Sequence, residues 1–255
     1  MIKLFRNIRQ SLLNEGKTSK YLKYALGEIV LVVIGILIAL QLNTWKEANT
    51  ERLLEKGYIV SLIEDIKKDS QNFDIAIKLN QNRIKNLDSL ALLCFNYTKE
   101  HDAEIFYKYM VGLRHPDFVS QTDRTLSQLR NAGGMRLISK KTTADAIIKY
   151  EDYYKKLTNQ QTWYEGMLKD MVNAGIHTFN FNQLPKYIGE RIHQSIDDYK
   201  NKIDIKSPNA KMMIELGNIT STYSSITEYY VFLLQEGKQN SLDLIKILEK
   251  DYLKQ

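Results

Sequence analysis

The chain has 255 residues, of which 44% are hydrophobic and 26% charged, with one cysteine and a net charge of +6. A single cysteine excludes an intrachain disulfide. The basic excess argues against nucleic acid as a partner, because residues 1–24 hold six basic side chains and one acidic, leaving 30 against 29 for the rest.

The first element in chain order is apolar. From Ile29 to Leu40 no side chain is polar, and Tyr21 and Tyr24 on one flank and Trp45 on the other are residue types that settle at water–lipid interfaces. Tyr24 to Trp45 spans about 31 Å at ~1.5 Å per residue, close to the hydrocarbon thickness of roughly 30 Å. Glu28, Gln41, Asn43 and Thr44, the polar residues between these anchors, all lie near an end. The pattern predicts a transmembrane helix over 24–45. A cleavable signal peptide fits less well, since 28 residues precede the run and Ile38-Ala39-Leu40 offers no small-residue cleavage site. Lys3, Arg6, Arg9, Lys17, Lys20 and Lys23 precede the span, which predicts a cytoplasmic basic arm over 1–23 and an extracytoplasmic helical domain over 46–255. In a bacterium with an outer membrane this places the chain in the inner membrane, single-pass, with its C-terminal domain in the periplasm.

No proline occurs before Pro116, so a long helix is free to continue from Lys46 to about Phe95, even unbroken from the span. Apolar residues recur at Ile59, Leu62, Ile66, Phe73, Ile77, Ile84, Leu87, Ala91 and Cys94, the seam of a helix packed lengthwise on another. Ser70 and Asn80 fall at or beside skipped seam positions, and Gly57 is the expected hinge. Cys94, in "LALLCFNY", reads as a buried thiol. Further helices are expected at 103–113, then over "RTLSQLRNA" with Ser120 and Asp123 as a capping box, stopped by Gly133-Gly134. Thr142 and Asp145 read as a second capping box before a helix over about 143–179, with a seam of Ile147, Tyr154, Leu157, Gln161, Tyr164, Leu168 and Met171. Helices at 185–200 and 208–236 follow, the latter with Ser207 as cap and Pro208 in the first turn. Asn240 and Asp243 are expected to open a last helix. No strand is expected. The fold class is all-α, one N-terminal transmembrane helix running into a long helix and then an antiparallel helical bundle. The long seam packs either within the chain, as a bundle, or between chains, as a coiled coil.

The opening "MIKLFRNIRQSLLNEGKTSKYLKYALGEIVLVVIGILIALQLNTW" resembles that of an uncharacterised family of small bacterial envelope proteins, known only as a domain of unknown function. "TLSQLRNAGGMRLI" followed by "IIKYEDYY" is similar to that family's second recurrent block, over residues 122–154, while "LNTWKE" departs slightly from the usual "INNWNE". The resemblance implies a single-pass, mostly helical protein and brings no activity with it.

Few residues suggest chemistry. His101, His115, His177 and His193 have no i, i+3 or i, i+4 spacing, so neither a metal site nor a cofactor is expected. No G-x-S-x-G and no phosphate-cradling glycine loop occurs. Glu28, about one turn inside Tyr24, either reaches the headgroups beside Lys20 and Lys23 or meets a partner's span, with Gly35 and Ala39 as a close-approach face. Arg130 and Arg136 flank the glycine turn as candidates for an anionic ligand or partner. Tyr150 and Tyr154, within a cluster that includes Tyr153, Trp163 and Tyr164, line a pocket or, more commonly for such a stripe, a bundle core. The expected partners are the lipid bilayer and either another copy or a second membrane protein. Three functional classes remain: a membrane-anchored scaffold or interaction protein, a periplasmic ligand sensor signalling through a partner's span, and an anchored enzyme of unrecognised type.

Overall fold

The proline-free opening has the expected consequence in the computed structural model: helix α1 is unbroken from Thr18 to Phe95. The structure describes residues 18–98, 105–106, 109, 117–131, 133–178 and 210–253. It continues with α2 (Arg124–Asn131), a 3₁₀ turn (Gly134–Leu137), α3 (Lys141–Thr178) and α4 (Ala210–Tyr252). No strand occurs among the described residues. The chain divides into two compact units, Met1–Gly57 and Tyr58–Gln255.

In the first unit, the part of α1 from Leu22 to Trp45 leaves its large apolar side chains exposed, Leu31 by 64% and Trp45 by 67%. None of its apolar window is buried, and the helix is long and apolar enough to cross a membrane. Its polar end is satisfied locally: Thr44 Oγ1 donates to the Leu40 carbonyl at 3.0 Å, and Asn43 Nδ2 to Glu47 Oε1 at 2.8 Å.

In the second unit, α1, α3 and α4 share one core. The expected seam of α1 is the buried face: Ile59, Leu62, Phe73 and Leu87 are fully covered, and Ile77 and Ile84 are half-buried. On α3, Ile147, Tyr154, Leu157, Tyr164 and Met171 are buried as the spacing predicts. Contacts set the directions. Asp69 meets Tyr150 and Asn80 meets Tyr164, so α1 and α3 run the same way. The α4 helix runs against both, since Gly237 faces Phe73 while Gly217 faces Phe95. The seam is therefore covered within the chain, as a bundle. Cys94 lies in this core, and burial pushes its thiol up to about 12.

Three local readings are corrected. Residues 208–236 and the segment after Asn240 are not separate helices, because α4 is continuous from Ala210 to Tyr252. Gly237, in the middle of α4, is a packing notch: a Cβ there lies 2.6 Å from Phe73 Cζ. Neither capping box forms. Helix α2 starts only at Arg124, and its second amide, Thr125 N–H, is capped at 3.0 Å by Asp65 Oδ2 from α1. Helix α3 starts at Lys141, so Thr142 lies inside it, and Thr143 Oγ1 donates to Asp251 of α4 at 2.7 Å. The Gly133 stop is as expected, with φ of +63° in the left-handed region that glycine adopts cheaply. The helix expected at 103–113 lies mostly outside the described residues, of which Ile105, Phe106 and Tyr109 are helical. Those expected at 185–200, and the Ser207–Pro208 cap, also lie outside them.

Candidate functional site

Non-helical residues 117–123 cross the bundle and lead into α2, and buried polar groups from all three long helices fasten them down. From α1, Asp69 is 1% exposed and accepts the Thr122 N–H at 2.8 Å and the Tyr150 hydroxyl at 2.9 Å. One turn earlier, Asp65 accepts Thr125 N–H and Oγ1 and, at 3.0 Å, Arg124 Nη2. Arg83 Nη2 donates to Asp117 Oδ2 at 2.7 Å, and Asn80 Nδ2 to the Asp117 carbonyl at 3.0 Å. From α3, Gln161 Nε2 donates to the Val119 carbonyl at 2.9 Å and contacts the Tyr230 hydroxyl of α4 at 3.1 Å. Every one of these bonds joins segments distant in sequence, and buried polar groups placed this way specify one arrangement of the strap.

Electrostatics follow from the burial. Desolvation raises the Asp69 carboxyl above its ordinary 3.8, and the bonds from Thr122 and Tyr150 oppose that rise. Burial, and then the neighbouring Asp69 charge, push the Tyr150 phenol up. Tyr154 is raised for the same first reason. These shifts belong to a structural latch.

Beside the strap lies a groove of about 410 Å³, walled by Val119–Gln121, by Arg130 of α2 and by Glu151, Tyr154 and Lys155 of α3. Burial raises the Glu151 carboxyl, partly offset by Arg130 and Lys155. Arg130 itself bonds Asp123 and Ser127, and its Nη1 lies 3.4 Å from Glu151 Oε1.

The candidate residues separate accordingly. Arg130 and Tyr154 meet in this groove. Tyr150 does not line it, its hydroxyl being spent on Asp69 in the core. Arg136 is exposed on the 3₁₀ turn and does not line the groove. Of the tyrosine cluster, Tyr150, Tyr153, Tyr154 and Tyr164 are buried, whereas Trp163 is 72% exposed. Glu28 is half-buried in the first unit, and Gly35 and Ala39 are exposed on α1, with nothing within 4 Å of a Cβ at Gly35. Asp65, Asp69, Gln121 and Glu151 were not singled out from the sequence. A signal existed for the first two: Asp65 and Asp69 are four residues apart and flank Ile66 on the seam face.

The model of a family of unknown function, DUF6090, matches residues 28–206. The chain belongs to this family. The DUF6090 match starts at Glu28, takes in the whole apolar run from Ile29 to Leu40, the strap, α2 and α3, and ends before α4. No curated protein and no solved structure matches the chain.

Proposed function

We propose that this chain is a membrane-anchored helical interaction protein of the bacterial cell envelope. Its anchor is an uncleaved single-pass helix over 24–45, with the basic arm in the cytoplasm and the bundle in the periplasm. The observation that carries this reading is the contrast between the two units: the bundle covers its own seam, while the run from Ile29 to Leu40 covers nothing. Near the centre of a span each Leu, Ile or Val contributes roughly 0.3–0.6 kcal/mol to insertion. The arm's lysines and arginines add attraction to anionic headgroups, about 1 kcal/mol each. Glu28, Gly35 and Ala39 offer a partner's span one polar and two small contacts.

Interaction rather than catalysis is supported by how the perturbed groups are used. Asp69 and Tyr150 hold the strap in the core, and neither lines the groove beside it. The bundle instead displays aromatic side chains, Trp163, Tyr229 and Phe232, with the last two stacked at 6.3 Å. Exposed Trp and Tyr are the residue types that carry binding energy at protein interfaces. A reporter active only outside the cytoplasm, fused after residue 60, is expected to be active. Activity there of a reporter that works only in the cytoplasm overturns the topology.

A further inference from the structure

Two buried side-chain polar atoms without a hydrogen-bond partner, Gln121 Nε2 and Glu151 Oε1, belong to residues lining the groove beside the strap. Buried polar groups in folded proteins are nearly always paired, and an orphan costs about 1–3 kcal/mol. Two at one opening mark a place that something else completes.

The chemistry of the orphans restricts that something. Gln121 Nε2 is a donor and needs an acceptor. Glu151 Oε1 is an acceptor, and the nearest cation, Arg130 Nη1 at 3.4 Å, does not reach it as a hydrogen bond. Arg130 is held off by Asp123 and Ser127, through bonds from its other terminal nitrogen. Tyr154 needs no such partner, because its hydroxyl is turned to Asp69 and Tyr150 in the core. The second cation on the rim, Lys155, is ion-paired with Asp152 at 2.7 Å and largely exposed, and a three-donor ammonium can take a ligand's negative end beside that bond. A completing molecule therefore has a positive donor at one end and an acidic acceptor at the other. At about 410 Å³ the opening suits a small ligand, within the usual range of roughly 300–1,000 Å³.

We infer that the groove between the strap and α3 binds an amino-acid zwitterion, either a free amino acid or a short peptide. Its ammonium sits on Glu151, and its carboxylate or first carbonyl on Gln121 and Lys155. An ammonium there supplies the hydrogen bond that the ion pair with Arg130 leaves unmade at Glu151 Oε1. The pocket acts by binding alone, with no bond made or broken.

The test is calorimetric titration of the full chain in nanodiscs with L-alanine, with the dipeptide Ala-Ala and with N-acetyl-Ala-Ala. Binding of alanine or Ala-Ala, weakened at least tenfold by acetylation, is expected. Alanine binding points to a free amino acid, and Ala-Ala binding without it points to a peptide end. Gln121→Ala and Glu151→Gln should each weaken binding at least tenfold while the circular dichroism melt stays cooperative, and the acetylated probe needs no variant at all. Equal binding of the acetylated dipeptide, or no binding of either zwitterion at millimolar concentration, overturns the inference and leaves the groove to water.

Discussion

At the scale of single residues, the buried carboxylates on α1 organise the bundle. The spacing of Asp65 and Asp69 about Ile66 places both by the seam, but their partners, Thr125 and Thr122, lie 60 and 53 residues further on. No local pattern reports a bond of that separation. Asp69 makes a testable statement about pH. Its carboxyl titrates above 3.8 in the folded protein, so between 3.8 and that raised value the folded state binds more protons than the unfolded. The contribution of Asp69 to stability is therefore largest in acid and declines as pH rises through the folded value. Asparagine keeps an acceptor for the Thr122 amide and a donor for Tyr150, without titrating. The melting temperature of wild type minus that of Asp69→Asn should fall from pH 4 to pH 7. A difference that grows over that range shows a carboxylate stabilised by its charge, contrary to this account.

At the scale of elements, the seams were the legible part. Ile59, Leu62, Ile66 and Phe73 on α1, and Ile147, Tyr154 and Tyr164 on α3, are buried where heptad-like spacing puts them. Helix ends were less legible, and each miss has a tertiary cause. The amide that Ser120 was expected to help satisfy at the start of α2 is supplied with a carboxylate from α1 instead. Helix α4 runs on where a break was expected between 236 and Asn240, and the glycine in that stretch, Gly237, admits the Phe73 and Tyr153 rings. Two glycines on long helices should thus respond oppositely to alanine. Gly237→Ala drives a Cβ to 2.6 Å of Phe73 Cζ and 3.1 Å of Tyr153 Cε1, both in the core, and should cost about 1–3 kcal/mol. Gly57→Ala meets nothing within 4 Å and should stabilise α1 by roughly 0.5–1 kcal/mol. Urea unfolding followed by circular dichroism measures both. Stabilisation by Gly237→Ala removes the packing explanation for the continuity of α4.

At the scale of the whole molecule, two kinds of apolar surface occur in one chain. The bundle's is consumed internally, by aromatic contacts such as Tyr164 with Tyr223 at 4.8 Å and with Phe118 at 5.4 Å. That of residues 29–40 is left exposed among the described residues. The groove beside the strap was only half visible beforehand. Arg130 and Tyr154 were recognisable as candidates, but Gln121 and Glu151 become meaningful only when the strap is laid against α3. The central claim is that the N-terminal run stays in lipid for the life of the protein, and alkaline carbonate extraction of native membranes with mass determination of the recovered chain tests it most directly. The account predicts full-length protein, residues 24–45 included, in the membrane pellet. Release into the supernatant, or a chain cut after the apolar run, contradicts it.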